Sequence, residues 1–396
     1  MRARGAIAFG GALIAVLCLG LWLGGHPSKL PGFVRDAFVA EPAGLTAEAA
    51  ELIEDSYYRP VGETELSNAS LQGMVRELRR RHGDQFSEYF SPESLESFNQ
   101  QIEGRFTGIG LSVVPVKRGL GVTEVFPGSP AAGAGLVAGD TIVSVNGESI
   151  AGESSGEATA KIKGPEGTEV TVGVRDGETG KVRQETMTRA EVTLPNVSSN
   201  VREVGGRKLG YVRLLSFSVG AHALLAEAVQ KVQEEGAEGI VLDLRGNPGG
   251  LLEEAVSSAS VFLPEGEVVV STESRTQGGS VHRTSGGNLP ALPMVVLIDR
   301  GTASAAEILT AALADNGDAT VVGTRSFGKG VFQEERDLAN GGALKLTVGE
   351  YFTPDGTNLA ESKGIHPRIK VSDNPRTRPD EALRRSLGVL AGQVGG

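Results

Sequence analysis

Cysteine is nearly absent from this sequence: its 396 residues contain one, Cys18. A lone thiol excludes an intrachain disulfide and argues against thiolate zinc sites and thiol catalysis. It is also poorly placed for lipidation, because Leu17 before it is not small. Histidine is scarce and scattered: His26, His82, His222, His282 and His366 show no H-x-x-x-H or similar ligand spacing. No metal site is therefore expected, and a Ser-His-Asp arrangement has no support. A positive surplus is missing too. Lys+Arg number 38 against 49 Asp+Glu, a net charge of −11, which argues against a nucleic-acid partner. There is no internal repeat and no low-complexity tract.

What is present is ordinary globular composition, 39% apolar and 22% charged, in a chain long enough for two or three domains. Arg2 and Arg4 precede an uncharged run from Gly5 to Gly25. About 20 apolar residues cross a bilayer as a helix, and no good small-x-small cleavage site precedes His26. Residues 1–25 therefore read as an uncleaved signal-anchor, with a cleaved signal peptide as the alternative. Positive residues ahead of the span put the N-terminus inside. The body is then expected outside the cytoplasm, in the periplasm or at the cell exterior, attached to the membrane by this segment.

Residues 26–44, with Pro27, Pro31 and Pro42, read as a linker. Residues 45–103 form a helical region, in which Leu45, Ala49, Leu52, Ile53, Leu71, Met74, Val75 and Leu78 recur at helical spacing and are expected to pack as core. Residues 104–190 change to short β-branched runs broken by glycine, with Asn146-Gly147 as a tight-turn signal. Residues 191–372 alternate apolar strands, such as 239–244 and 294–298, with helices such as 221–235, 251–261 and 303–313. That alternation predicts an α/β layered core. Residues 373–396 end in an amphipathic helix over 380–390, which could serve a homo-oligomer or equally face the core.

In the β-rich module, Gly108-Ile109-Gly110-Leu111 offers successive backbone N–H groups to one point, suited to a peptide's terminal carboxylate. Alone it would be an ordinary glycine turn. Joined to the stretch from Pro127 through Gly139-Asp140 to Asn146-Gly147, it resembles a PDZ domain of the circularly permuted bacterial type. That resemblance implies binding of protein or peptide C-termini. Lys163 stands where relatives often carry an arginine; it keeps the charge but loses the planar fork.

Ser304 follows a buried strand and opens a helix, where first-turn amides lack partners and can stabilise an oxyanion. Ser304-x-x-Glu307 is also a capping box, a purely structural device. A base could be a lysine kept neutral by burial. Lys329, in Gly328-Lys329-Gly330, has no acidic residue within four positions on either side.

Thr302-Ala303-Ser304-Ala305-Ala306-Glu307, the lysine 25 positions on and Gln333 four beyond it together resemble the C-terminal processing (tail-specific) protease family. So does the loop Asp243-Leu244-Arg245-Gly246-Asn247-Pro248-Gly249-Gly250. The likeness covers roughly residues 45–390. It implies a ClpP/crotonase-like α/β core with an inserted PDZ domain and a small N-terminal helical region. It implies Ser304 as nucleophile, Lys329 as general base and Gln333 as the residue orienting the lysine. Ala305 and either Gly249 or Gly250 would give the oxyanion N–H groups, with no metal or cofactor. The alternative is a catalytically silent PDZ scaffold that only binds peptides.

Overall fold

The computed structural model describes residues 41–395 except Ser154, Leu194, Pro195, Asp318 and 374–379. The expected membrane anchor lies outside the described residues. Among the described residues no helix is long and apolar enough to cross a membrane. The chain forms two compact units, residues 41–91 with 335–346, and 92–334 with 347–395.

The first unit holds helices α1 (Glu41–Ser56) and α2 (Glu63–His82) and strand β1 (Glu88–Phe90), which pairs antiparallel with Ala343–Lys345. Helix α1 begins at Glu41, four residues inside the stretch expected as linker, since Pro42 is tolerated in the first turn of a helix, and the apolar positions of both helices are not core. Of those eight apolar residues Val75 alone is buried, while Leu45, Leu52 and Met74 are more than half exposed. Two helices and a strand pair have too little surface to cover both sides of each helix.

The second unit begins with α3 (Pro92–Ile102) and a two-stranded stalk, β2 (Arg105–Gly108) against β9 (Ala190–Thr193). Between the stalk strands lies the β-rich module: β3 (Leu111–Val116), β4 (Gly119–Val125), α4 (Pro130–Gly133), β5 (Thr141–Val145), β6 (Glu148–Ser149), α5 (Ser155–Ile162), β7 (Glu169–Arg175) and β8 (Val182–Thr188). Its sheet runs β3-β4-β5-β7-β8 around a core that includes Ile109, Leu120, Ile142, Val172 and Val174. Asn146 (φ 49°) and Gly147 (φ 83°) form the two-residue turn between β5 and β6.

Past the stalk come β10 (Val197–Val204), β11 (Arg207–Leu214), α6 (Ala221–Glu234), β12 (Ile240–Asp243), α7 (Leu252–Ser260), β13 (Val268–Ser274), β14 (Gly278–Arg283), β15 (Met294–Ile298), α8 (Ala305–Gly317), β16 (Thr320–Gly323), β17 (Val331–Asp337), β18 (Ala343–Phe352), β19 (Ile369–Lys370) and α9 (Glu381–Val394). The main sheet has the order β10-β11-β12-β15-β16-β19, parallel from β11 onward. Its strands are apolar on both faces because both are covered. Val212, Leu214, Leu242, Val296 and Ile298 pack on α6, α7 and α8. Leu209, Val241, Val295, Leu297 and Val322 pack on Leu383, Leu387 and Leu390 of α9. Turns after β12 and β15 then fall at one end of the sheet, where the candidate nucleophile sits.

Candidate active site

Ser304 lies between β15 and α8, 6% exposed, in the left-handed backbone region at φ 54°. That conformation is costly for a residue with a side chain and persists only where the surroundings hold it. Its carbonyl accepts from the Glu307 and Ile308 amides at 2.8 and 3.0 Å. Its own N–H donates to Glu307 Oε2 at 2.9 Å. The capping box therefore forms in one half. The glutamate caps the serine backbone, while the serine hydroxyl bonds no helix amide among the described residues and stays available.

Glu307 is completely buried and does more than cap. Its Oε2 also accepts from the Lys329 N–H at 2.9 Å, and its Oε1 from the Gly328 N–H at 2.7 Å and the Ser326 hydroxyl. One carboxylate thus grips both turns. The backbone nitrogens of Ser304 and Lys329 lie at most two hydrogen-bond lengths apart. The sequence has no acid near Lys329, yet the fold brings one from 22 positions away. Gly328 (φ 92°) permits this turn, since a Cβ there would meet the Lys363 carbonyl carbon at 2.7 Å. Lys329 is partly buried. The Gln333 side-chain amide donates to the Thr347 hydroxyl at 3.2 Å.

The loop after β12 lies against the serine turn. Ala303 N–H donates to the Asn247 carbonyl, and a Cβ on Gly249 (φ 99°) would stand 2.9 Å from both Ser304 Cβ and Ala305 N. The Gly249 N–H is engaged by Asn247 Oδ1 at 2.9 Å. Gly250 differs. Phe217 N–H donates to the Gly249 carbonyl at 2.9 Å and Leu251 N–H to the Phe217 carbonyl at 2.8 Å. Among the described residues the N–H groups of Gly250 and Ala305 meet no acceptor in the chain. Ala305 is buried, so an unmatched donor there is costly unless a ligand oxygen completes it.

Arg245 braces the same loop. It donates to buried Asp243 and reaches Asp373 and Asp380 at 2.8 Å. Burial opposes its charge, but the hydrogen bonds it donates to Asp243 and Asp380 outweigh that and hold the guanidinium pKa above its ordinary value. Tyr211 donates to Asp243, and its own burial, then the Asp243 charge, push the phenol up to about 12. Asp380 and Asp373 in turn cap the Leu383 and Ala382 amides of α9.

In the module, Ile109 is buried and its carbonyl accepts from Ala131 N–H. Gly110 (φ 81°) is fixed by Phe126 N–H and the Ser129 hydroxyl on its carbonyl, and a Cβ there would meet Ser129 Cβ at 2.2 Å. Gly108 closes β2 opposite Ala190, and Leu111 opens β3 opposite Val125. Lys163 is exposed. The cation buried beside it is Arg189, which donates to the Ile162 and Lys161 carbonyls ending α5 and to Thr168 and Glu169. Neither Arg189 nor the bridging role of Glu307 was read from the sequence. The capping-box spacing singled out Glu307, whereas an arginine at a strand end carries no signal of burial.

The layered sheet, the serine and lysine on adjoining turns and the inserted module define a PDZ-bearing α/β protein of the serine-peptidase type. Comparisons with known proteins agree. The profile of peptidase family S41 matches residues 208–371, and that of the PDZ domain residues 121–176. A protein of Staphylococcus aureus (strain N315) described as a CtpA-like serine protease is 36% identical over 332 residues, 82% of this chain and 64% of the relative. The carboxy-terminal processing protease CtpA of Bacillus subtilis (strain 168) is 32% identical over 324 residues, 82% of this chain and 68% of that protein. The solved photosystem II D1 C-terminal processing protease is similar at TM-score 0.52 and 27% identity, covering 88% of this chain and 98% of that one. The chain belongs to peptidase family S41, the C-terminal processing peptidases. It spans 64% of the length of the staphylococcal relative.

Proposed function

We propose that this chain is a serine endopeptidase that cuts proteins near their C-termini by a Ser304–Lys329 dyad. The observation that carries the reading is Glu307 holding the Ser304 and Lys329 backbones on one carboxylate, beside two unmatched amides. In the proposed cycle, Ser304 Oγ adds to the scissile carbonyl as its proton passes to the neutral Lys329 amine. The C–N bond then breaks and the proton goes to the leaving amine. Water attacks the acyl-enzyme, Lys329 takes its proton, and the ester bond breaks with return of a proton to Ser304. Ala305 and Gly250 donate to the oxyanion. Gly249 is the weaker candidate because its amide already serves Asn247. Gln333, its amide fixed on Thr347, keeps the orienting role the resemblance implies.

The loop at Gly108–Leu111 would hold the substrate's terminal carboxylate, with the exposed Lys163 just past α5. Residues 1–25 would attach the body to the membrane on its extracytoplasmic side. Self-association, if it occurs, would use α1, whose Leu45, Leu52 and Ile53 are exposed, rather than α9, whose leucines face the sheet. The test is wild type against Ser304→Ala on a flexible-tailed protein, with new C-termini read by mass spectrometry. Loss of cleavage and of labelling by a serine-directed acylating probe is expected. Undiminished cleavage by Ser304→Ala removes the nucleophile. A wild-type chain that binds tails but neither cuts nor labels is a silent scaffold.

A further inference from the structure

We propose that Asn196 is a positioning residue for the oxyanion hole, acting through Ser216–Ser218 on the Gly250 amide. The inference rests on the reading of Gly250 and Ala305 as oxyanion donors.

Asn196 stands just past the stalk of the β-rich module, 5% exposed, and nothing in its sequence context marks it. Its side chain uses its full capacity. Nδ2 donates to the Ser216 carbonyl at 2.8 Å and to Ser218 Oγ at 3.0 Å. Oδ1 accepts from the Ser216 N–H at 2.9 Å and the Ser216 hydroxyl at 3.0 Å. Its carbonyl accepts from Leu215 N–H. A carboxylate of the same shape lacks the two donors, and an apolar side chain lacks everything.

Between the two serines lies Phe217, its side chain fully buried. Its N–H and carbonyl make the two bonds, to Gly249 and from Leu251, that straddle Gly250. The peptide plane carrying the Gly250 N–H is therefore aimed by where Phe217 sits. The fit is close, since a Cβ on Gly250 (φ 147°) would stand 2.3 Å from the Phe217 carbonyl oxygen. The other end of the segment is tied to the chain entering the stalk, where Val219 N–H donates to the Ile102 carbonyl at 3.0 Å. Both crossings between the module and the layered core thus grip one short segment, and that segment sets the oxyanion donor.

The test uses the full chain with Asn196→Asp, which keeps shape and acceptors and removes both donors. A displaced oxyanion donor costs rate rather than binding. We expect kcat to fall by about 10- to 100-fold, with KM changed less than about twofold. A substrate-like peptide aldehyde, which forms a hemiacetal oxyanion on Ser304, should lose affinity by the factor lost in kcat/KM. The matching peptide alcohol should keep its affinity. Wild-type kcat overturns the proposal, as does equal loss of aldehyde and alcohol binding. Ser304→Ala is assayed in parallel; cleavage retained there sinks the nucleophile reading instead. Should Asn196→Asp fail to give a cooperative thermal transition, Ser218→Ala removes one of the four side-chain bonds. It should lower kcat by about two- to fivefold with the same aldehyde selectivity, and unchanged kcat overturns the proposal.

Discussion

Glu307 is a fully buried side chain whose two carboxyl oxygens are met by four donors, three backbone N–H groups and one hydroxyl. Glu307→Gln keeps the shape but turns an NH2 toward converging donors. It should cost about 2–4 kcal/mol in urea unfolding and lower kcat by about 100-fold or more, with tail binding at the module unchanged. Lys329→Arg keeps the positive charge but cannot deprotonate. It should remove about 10²–10⁴ of the rate, read as kcat on a peptide substrate. Asp315 gives a prediction about pH. Burial of its carboxyl, then the Asp355 charge, raise its pKa to about 6, and it sits in the last turn of α8, where the helix dipole disfavours an anion. The folded state thus holds this proton more tightly than the unfolded chain does. The favourable contribution is complete below about pH 4 and is lost as the pH rises through 6. Asp315→Asn should raise Tm at pH 7 and leave it unchanged at pH 4. Equal shifts at both values would show that Asp315 does not titrate in this window.

At the scale of elements, β12, β15, α6, α8 and α9 were legible because apolar runs and helical spacing survive folding unchanged. The two faces of the main sheet were not separable, since continuous runs such as Met294–Ile298 carry no alternation to say which residues α9 covers. The apolar positions of α1 and α2 misled for the opposite reason: periodicity predicts a helix, not a partner for its face. At the site, Ser304 and Lys329 were marked by motif, but the bridge between them is a contact 22 positions apart that no local pattern encodes. Asn196 was invisible because it bonds a segment 20 positions away. The role of α9 leads to a further prediction. Leu390 is fully buried against the sheet. Leu390→Ala should cost about 2–5 kcal/mol, and the helix is also capped by the aspartates that hold Arg245. Loss of α9 packing should therefore lower kcat as well as Tm. A drop in Tm with kcat intact at temperatures well below it would uncouple the helix from the loop.

For the whole molecule, the governing quantity is charge. The chain carries −11, whereas the proposed ligand ends in a carboxylate. On the proposed reading, capture of the terminal group would be local, by backbone N–H groups at Gly108–Leu111, and would act over a few ångströms. The field of the whole molecule reaches about 8 Å at physiological salt and farther when salt is low. Encounter and capture should thus respond to ionic strength in opposite senses for different tails. With Ser304→Ala in full length, a peptide with lysines upstream of an apolar end should associate faster at 20 mM salt than at 200 mM, and a glutamate-rich one more slowly. Dissociation rates should change little, because the contacts that hold the end are the same. Amidating the terminal carboxylate should weaken both peptides by at least about tenfold, mostly through faster release. Stopped-flow fluorescence separates the two rates. Association rates that ignore both salt and tail charge would mean that the Gly108–Leu111 loop lies outside the reach of the molecule's net field.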